Sequence, residues 1–282
     1  MLLLGKPVAE KILSETKEKI KALGIVPGLA VVLVGDDPAS RIYVGIKEMR
    51  AREIGMRFEL RTFDKTAPES EITDHIHELN GRDDIHGIIV QLPLPVGFDA
   101  DRIIAAIDPG KDADGFLTAE KNVTSSHGRE KRLHFVPVFP EAMIELAKSS
   151  GEALAGKTGI VLANSERFGE VMTDALVREG MTAQCILARD YDVNRSMLMT
   201  ADVVFTAIGR PEGIPRYLFR QGAVVIDGGI SKKDDKVVGD VEGVGSDTDI
   251  SLSPVPGGVG PVTVACLLRR VVDLALEKKK TA

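Results

Sequence analysis

Hydrophobic positions along the chain fall into two kinds of segment that alternate. Continuous apolar runs at 29–34, 87–91 and 159–163 fit strands buried on both faces, as in a parallel sheet. Between such runs the apolar residues recur at helical spacing. Pro7 opens a helix in which Val8, Ile12, Leu13, Ile20 and Leu23 share a face, and Gly24 ends it. After the run at 29–34, Gly35-Asp36-Asp37-Pro38 reads as a turn with Asp37 as the N-cap of a helix over 38–54, closed by Gly55. The pattern then predicts a strand over 57–63, a helix over 69–79, a short helical segment before Lys111 and a helix over 141–148. A second alternation follows, with strands over 159–163, 182–187, 201–208 and 223–227 and a helix over 168–178 that stops before Gly180. This order predicts an α/β fold of parallel sheets covered by helices, with ligands bound beyond the carboxyl ends of the strands. The change between the two alternations falls near 137–140, where Pro137 and Pro140 flank Val138 and Phe139.

The stretch 254–261, Pro-Val-Pro-Gly-Gly-Val-Gly-Pro, is stiffened by proline and loosened by glycine, so a ligand can press against its main chain. Pro261 suits the first turn of a helix in which Ala265, Leu267, Leu268, Val271, Val272 and Leu276 share one face. The stretch is either a ligand-facing loop or a bare connector. A ligand-facing loop predicts that a side chain at Gly258 harms binding more than stability.

Length and composition narrow the picture. A chain of 282 residues with 44% hydrophobic content is long enough for two domains. Its net charge of −6, with no basic block beyond Lys278-Lys279-Lys280, lacks the footprint of a nucleic-acid binder. The apolar residues 1–4 are cut short by Gly5-Lys6-Pro7, and no run approaches the ~20 residues of a membrane span. The expected location is the cytoplasm. Two cysteines, Cys185 and Cys266, sit in apolar segments and read as buried structural thiols.

Candidate chemistry lies at the predicted sheet edges. Tyr43 and Lys47, four apart on the helix after the first strand, share a face, and a buried lysine there would pass protons near neutral pH. Gln91 ends an apolar strand, and Leu92-Pro93-Leu94-Pro95 stops the ladder directly after it. The acids of Lys111-Asp112-Ala113-Asp114-Gly115-Phe116 suggest a turn, a metal site or a carboxylate aimed at a polar ring. No metal is expected, because two aspartates are too few and His75, His77, His86, His127 and His134 have no ligand spacing. After the strand at 159–163 the turn reads Ala163-Asn164-Ser165-Glu166-Arg167-Phe168-Gly169, a weak nucleotide fingerprint with a single glycine. Past the next strand, Arg189 can meet a ribose phosphate or Asp190 a ribose hydroxyl, or both are loop charges.

Taken together, Tyr43 with Lys47, the string from Val90 to Pro95, Asp112-Ala113-Asp114-Gly115, Ile208-Gly209-Arg210-Pro211, Val225-Ile226-Asp227, Gly239-Asp240-Val241 and the 254–261 loop resemble the bifunctional methylenetetrahydrofolate dehydrogenase/cyclohydrolases. The resemblance spans almost the whole chain. It implies an N-terminal α/β domain over 1–138 completed by 257–282, a Rossmann nucleotide-binding domain over 139–256, and a folate cleft between them. By resemblance Lys47 is catalytic, Gln91 positions it, Tyr43 packs over the pterin and Asp114 binds the pterin's amino edge. Leu92, Pro93, Gly257, Gly258 and Pro261 line the same folate site. Asn164, Ser165, Arg167, Gly169, Arg189, Gly209, Arg210, Pro211 and Ile230 are the implied contacts to NADP, with NAD as the other possible dinucleotide. The implied activity oxidises 5,10-methylenetetrahydrofolate and hydrolyses the methenyl product to 10-formyltetrahydrofolate, in one-carbon metabolism and purine biosynthesis. A homodimer built through the Rossmann domain is implied, with no nucleic-acid or membrane partner.

Departures cluster on the nucleotide side. The family's Gly-Arg-Ser is Ala163-Asn164-Ser165 here, the proline after the helix-start glycine is Val171, and the usual His-Ser is Leu187-Ala188. The family's Pro-Cys-Thr-Pro is Pro137-Val138-Phe139-Pro140. An amide cannot grip a phosphate as a guanidinium does, so a weakened NADP preference is expected, with Arg167 or Arg189 as substitutes and Asp190 opposing them. The alternative reading is a cyclohydrolase-only or non-catalytic folate- or nucleotide-binding paralogue with a degraded dinucleotide site. An oxidoreductase acting on some other substrate accounts less well for the complete folate-side string.

Overall fold

The computed structural model describes residues 1–117, 135–243 and 249–281, so His127 and His134 lie outside the described residues. In chain order the elements are α1 (Gly5–Leu23), β1 (Gly28–Val34), α2 (Pro38–Glu53), β2 (Arg57–Phe63), α3 (Glu69–Asn80), β3 (Gly87–Val90), α4 (Ala100–Ile104), α5 (Val138–Lys148), β4 (Thr158–Ala163), α6 (Glu166–Arg178), β5 (Thr182–Leu187), α7 (Tyr191–Asn194), β6 (Val203–Ala207), β7 (Val224–Asp227), β8 (Ser231–Lys233), β9 (Lys236–Val238), β10 (Ser251–Leu252) and α8 (Val259–Thr281). They form two compact units: Lys11–Val138 with Val264–Ala282, and Met1–Glu10 with Phe139–Thr263. The 1–138 expectation is therefore shifted at its start. Leu3 N–H donates to Leu252 O at 2.9 Å and Gly5 N–H to Gly257 O at 2.8 Å, which ties the first residues to the second unit. Within the C-terminal helix the division falls at 263/264 rather than at 257.

In the first unit, β1 lies between β2 and β3 in a parallel sheet. Every residue of β1 and β3 is buried, which explains why both read as unbroken apolar runs. Asp37 caps α2 by accepting from Ser40 N–H at 2.7 Å. Beside β3 the segment 111–113 continues the sheet in parallel, with Ile88 N–H donating to Lys111 O and Ala113 N–H to Ile88 O. Lys111 is buried because its ammonium donates to Leu79 O (2.9 Å) and Arg82 O (2.6 Å), carbonyls at the end of α3. The helix α8 packs on this sheet at Gly87, where a Cβ would stand 2.7 Å from Val271 Cγ2. Only glycine permits that approach.

In the second unit, five parallel strands run in the order β10-β7-β6-β4-β5. The strand predicted over 201–208 shortens to β6, since 195–200 coils into a 3₁₀ turn. The antiparallel β8–β9 hairpin and the two-residue β10 were not expected, being too short or too polar to give a periodic signal. Cys266 is buried as expected, but Cys185 is exposed, because β5 is the sheet's edge strand. Among the described residues no helix is long and apolar enough to cross a membrane, and no cluster of three His, Cys, Asp or Glu side chains can hold a metal ion.

Candidate active site

The carboxyl edge of the first unit's sheet gathers the lysine and the amide. Lys47, on α2, donates from Nζ to Gln91 Oε1 at 2.7 Å. Gln91 follows β3, its own N–H bonded to Val32 O, and its Nε2 donates to Leu92 O at 2.6 Å. That second bond fixes which end of the amide faces the lysine. With Nε2 committed to a carbonyl, Oε1 is presented to Lys47 as a neutral acceptor that does not demand a charged partner. Burial pushes the Lys47 pKa down, and the nearby Asp114 carboxylate opposes the shift in part. The lysine is thus drawn towards the range in which an amine can accept a proton. Tyr43, one turn before Lys47 on α2, keeps 37% of its surface exposed. Leu92 is half-buried and Pro93 exposed beside it.

Asp114 and Asp112 have separated roles. Asp112 is 1% exposed, and its carboxylate accepts from Gly115 N–H (2.9 Å) and Leu117 N–H (2.7 Å), so it folds the loop. Asp114 is raised to about 6, first by burial, then by Asp112, with Lys47 and Arg270 acting the other way. Its carboxyl group is therefore poised near neutrality. Arg270, 3% exposed on α8, donates to Val136 O at 2.6 Å and lies 4.1 Å over the Phe135 ring. The sequence reading missed Arg270, and the available signal was a guanidinium inside an otherwise apolar helical face.

In the second unit the turn after β4 carries Asn164, Ser165 and Arg167, all exposed. Ser165 is the N-cap of α6, its hydroxyl accepting from Phe168 N–H at 3.3 Å. Gly169, expected as a cofactor contact, instead faces the sheet, where a Cβ would overlap the Cys185 sulfur. It is a packing residue that lets α6 lie close on β4 and β5. Arg189 donates to Glu166 Oε1 at 2.7 Å and has Asp190 Oδ2 at 3.7 Å. Arg210 makes a two-pronged pair with Asp192 (3.1 and 2.9 Å) over the Tyr191 ring at 4.9 Å. Gly209 has φ 69°, Pro211 is exposed and Ile230 is 59% exposed.

Two buried aspartates hold the 206–210 turn in place. Asp240 accepts from Thr206 Oγ1 (2.8 Å), Ile208 N–H (2.7 Å) and Arg210 N–H (2.8 Å). Asp227 accepts from Gly229, Asp240 and Val241 N–H groups at 2.9, 3.1 and 2.8 Å. Burial is the main cause that pushes Asp227 up to about 6. Both stood in strings that carried the resemblance, yet neither had a role assigned, because backbone-fastening carboxylates look like any others in sequence.

The 254–261 loop corrects one expectation. Gly258 is buried, and a Cβ there would meet Pro254 O at 2.6 Å and Ser253 Cβ at 2.9 Å, so a side chain would collide with the loop itself before any ligand. Gly257, at φ 101° with open space around a Cβ, is the position that faces outward. Pro261 lies in the first turn of α8, half-buried.

The comparisons agree with this layout. Residues 3–114 match the model for the tetrahydrofolate dehydrogenase/cyclohydrolase catalytic domain and residues 137–279 that for its NAD(P)-binding domain. The chain is 38% identical to the bifunctional protein FolD of Brucella anthropi, over 97% of this chain and 95% of that protein. The crystal structure of the bifunctional FolD of Campylobacter jejuni superposes with a TM-score of 0.85 at 33% identity, covering 99% of each chain. That of Trypanosoma brucei, solved with NADP and an inhibitor, gives 0.84 at 27% identity, covering 99% of this chain and 98% of that one. With two family models spanning most of its length, the chain belongs to the tetrahydrofolate dehydrogenase/cyclohydrolase family.

Proposed function

We propose that the protein oxidises 5,10-methylenetetrahydrofolate with a nicotinamide dinucleotide and hydrolyses the methenyl product to 10-formyltetrahydrofolate. The observation that carries this reading is the Lys47 Nζ to Gln91 Oε1 bond at 2.7 Å, on a lysine whose pKa burial depresses. A methenyl cation repels a protonated lysine, so the chemistry requires an amine that can be neutral. Neutral Lys47 takes a proton from the water that attacks the cation, while Gln91 holds the amine in place. Asp114, ionised above about pH 6, accepts from the donor-rich edge of the pterin. Tyr43, Leu92 and Pro93 supply the surface on which the ring lies.

The second unit fits a dinucleotide. It has a parallel sheet whose order reverses between β4 and β6, an exposed turn at the head of α6, and a 206–210 turn fastened by Asp240. When bound, the dinucleotide accepts the hydride from the methylene carbon. Asn164, Ser165, Gly209 and Arg210 would hold it, with Arg189 beside them paired to Glu166. A cyclohydrolase-only or non-catalytic paralogue is disfavoured, since the fastened turn and the desolvated lysine are both retained. We place the enzyme in the cytoplasm as a homodimer whose 10-formyl product feeds purine synthesis.

Methenyl hydrolysis needs no dinucleotide and isolates the lysine. Lys47→Met is expected to lower its rate about 10²–10⁴-fold with an unchanged thermal midpoint. Near wild-type hydrolysis by the folded variant would remove Lys47 from this role.

A further inference from the structure

The side-by-side register of β4 and β5 sets Ala163 opposite Leu187, so the turn at 164–167 and the segment at 188–190 leave the same edge of the sheet as neighbours. In a doubly wound sheet this is where the adenosine ribose of a dinucleotide is read: an acid there takes the 2′-hydroxyl, and an arginine takes a 2′-phosphate. Here the arginine is present but engaged. Arg189 Nη2 donates to Glu166 Oε1 at 2.7 Å, and Arg189 Nε stands 3.7 Å from Asp190 Oδ2. The two segments carry Arg167 and Arg189 against Glu166 and Asp190, and of the two guanidiniums Arg189 is the one set between both carboxylates. The neighbouring Asn164 is uncharged and adds no cation of its own.

We propose that Glu166 is a specificity-determining residue of the dinucleotide site: by holding Arg189, it withholds that guanidinium from a ribose 2′-phosphate. This rests on the dehydrogenase reading above. NADP must take Arg189 from Glu166 and bring its phosphate close to two carboxylates, whereas NAD meets only hydroxyl-compatible acceptors. The pair itself is exposed, with side chains 66% and 69% accessible, and pairs of that kind contribute little to stability. Glu166 can therefore be changed without unfolding α6, whose cap is the separate Ser165 to Phe168 bond.

The test is equilibrium binding of NAD, NADP and 2′,5′-ADP to the full chain, read by calorimetry with no folate present. Glu166→Gln is expected to tighten NADP and 2′,5′-ADP about fivefold or more, with NAD unchanged within a factor of two. Adding Arg189→Gln to that variant should abolish the gain, which assigns it to the released guanidinium. The gain should also shrink with added salt, as a charge-based contact does. If Glu166→Gln leaves the NADP to NAD ratio of affinities unchanged, or lowers it because Glu166 was presenting Arg189 to the phosphate, the proposal is overturned. Wild-type protein that binds none of the three overturns the dehydrogenase reading as well, and methenyl hydrolysis then shows whether the lysine site stands alone.

Discussion

The two units hold their charges differently. In the first unit the candidate groups are desolvated: burial lowers the Lys47 pKa and raises that of Asp114 to about 6, and Lys47 is held by the Gln91 amide, itself fixed on Leu92 O. In the second unit the charged side chains Arg189, Glu166, Arg210 and Asp192 are exposed and neutralise one another in pairs, while buried Asp240 accepts from the Thr206 hydroxyl and from two backbone N–H groups. Burial makes a protonation state depend on every neighbour, so the surroundings of Lys47 and Asp114 tolerate little substitution. An exposed pair is worth a fraction of a kcal/mol, so the residues of the other side can change at small cost in stability.

Three further measurements can break or sharpen this contrast. The largest effect is expected from Gln91→Glu. A carboxylate in place of the neutral Oε1 stabilises the charged lysine, so methenyl hydrolysis at pH 7.5 should fall about 10–100-fold and recover partly as pH is raised. An unchanged rate and pH profile would mean that the lysine is not the titrating group. Next is Asp114→Asn. The folded pKa of Asp114, about 6, lies above its unfolded value near 3.8. Its contribution to stability is therefore full below about pH 4 and is lost as pH rises through about 6. The asparagine variant should be more stable than wild type at pH 7.5, by on the order of 1–3 kcal/mol, while binding folate more weakly. Denaturant midpoints at pH 4 and pH 7.5 check the sign, and a loss of stability at pH 7.5 contradicts it. Smallest is Arg210→Gln, which breaks the exposed pair with Asp192 and should cost under about 1 kcal/mol. A loss of several kcal/mol would show that the dinucleotide side is as tightly determined as the folate side.

Much of this was legible in the sequence, for reasons that also explain the rest. Strands β1 and β3 are buried on both faces, so apolar runs announce them, and Asp37 and Gly55 mark the bounds of α2 by local capping chemistry. Lys47 and Gln91 are legible at one sheet edge because α2 begins there, just after β1, and β3 ends there. The strand β10 could not be read, because two residues carry no period, and its partners at Met1–Leu3 come from the other end of the chain. The close packing at Gly169 and Gly258 is not legible in the sequence, since a glycine's sequence neighbours do not say which surface comes close. The Glu166–Arg189 pair joins residues on separate elements and was visible only once β4 and β5 were in register.

The packing of α8 on β3 has a consequence for how the protein is made. Gly87 receives Val271, Arg270 reaches back to Val136, and Lys278 binds Asp83 at 2.8 Å, so the unit bearing Lys47 is closed by residues that leave the ribosome after the whole nucleotide unit. Such contacts have a high sequence separation and form late. During synthesis the sheet of β1, β2 and β3 waits with the face meant for α8 uncovered, while the 139–263 region can already gather its own core. The unit that carries Lys47 and Gln91 is thus the last part of the chain to be completed, although most of its residues are the first to be translated.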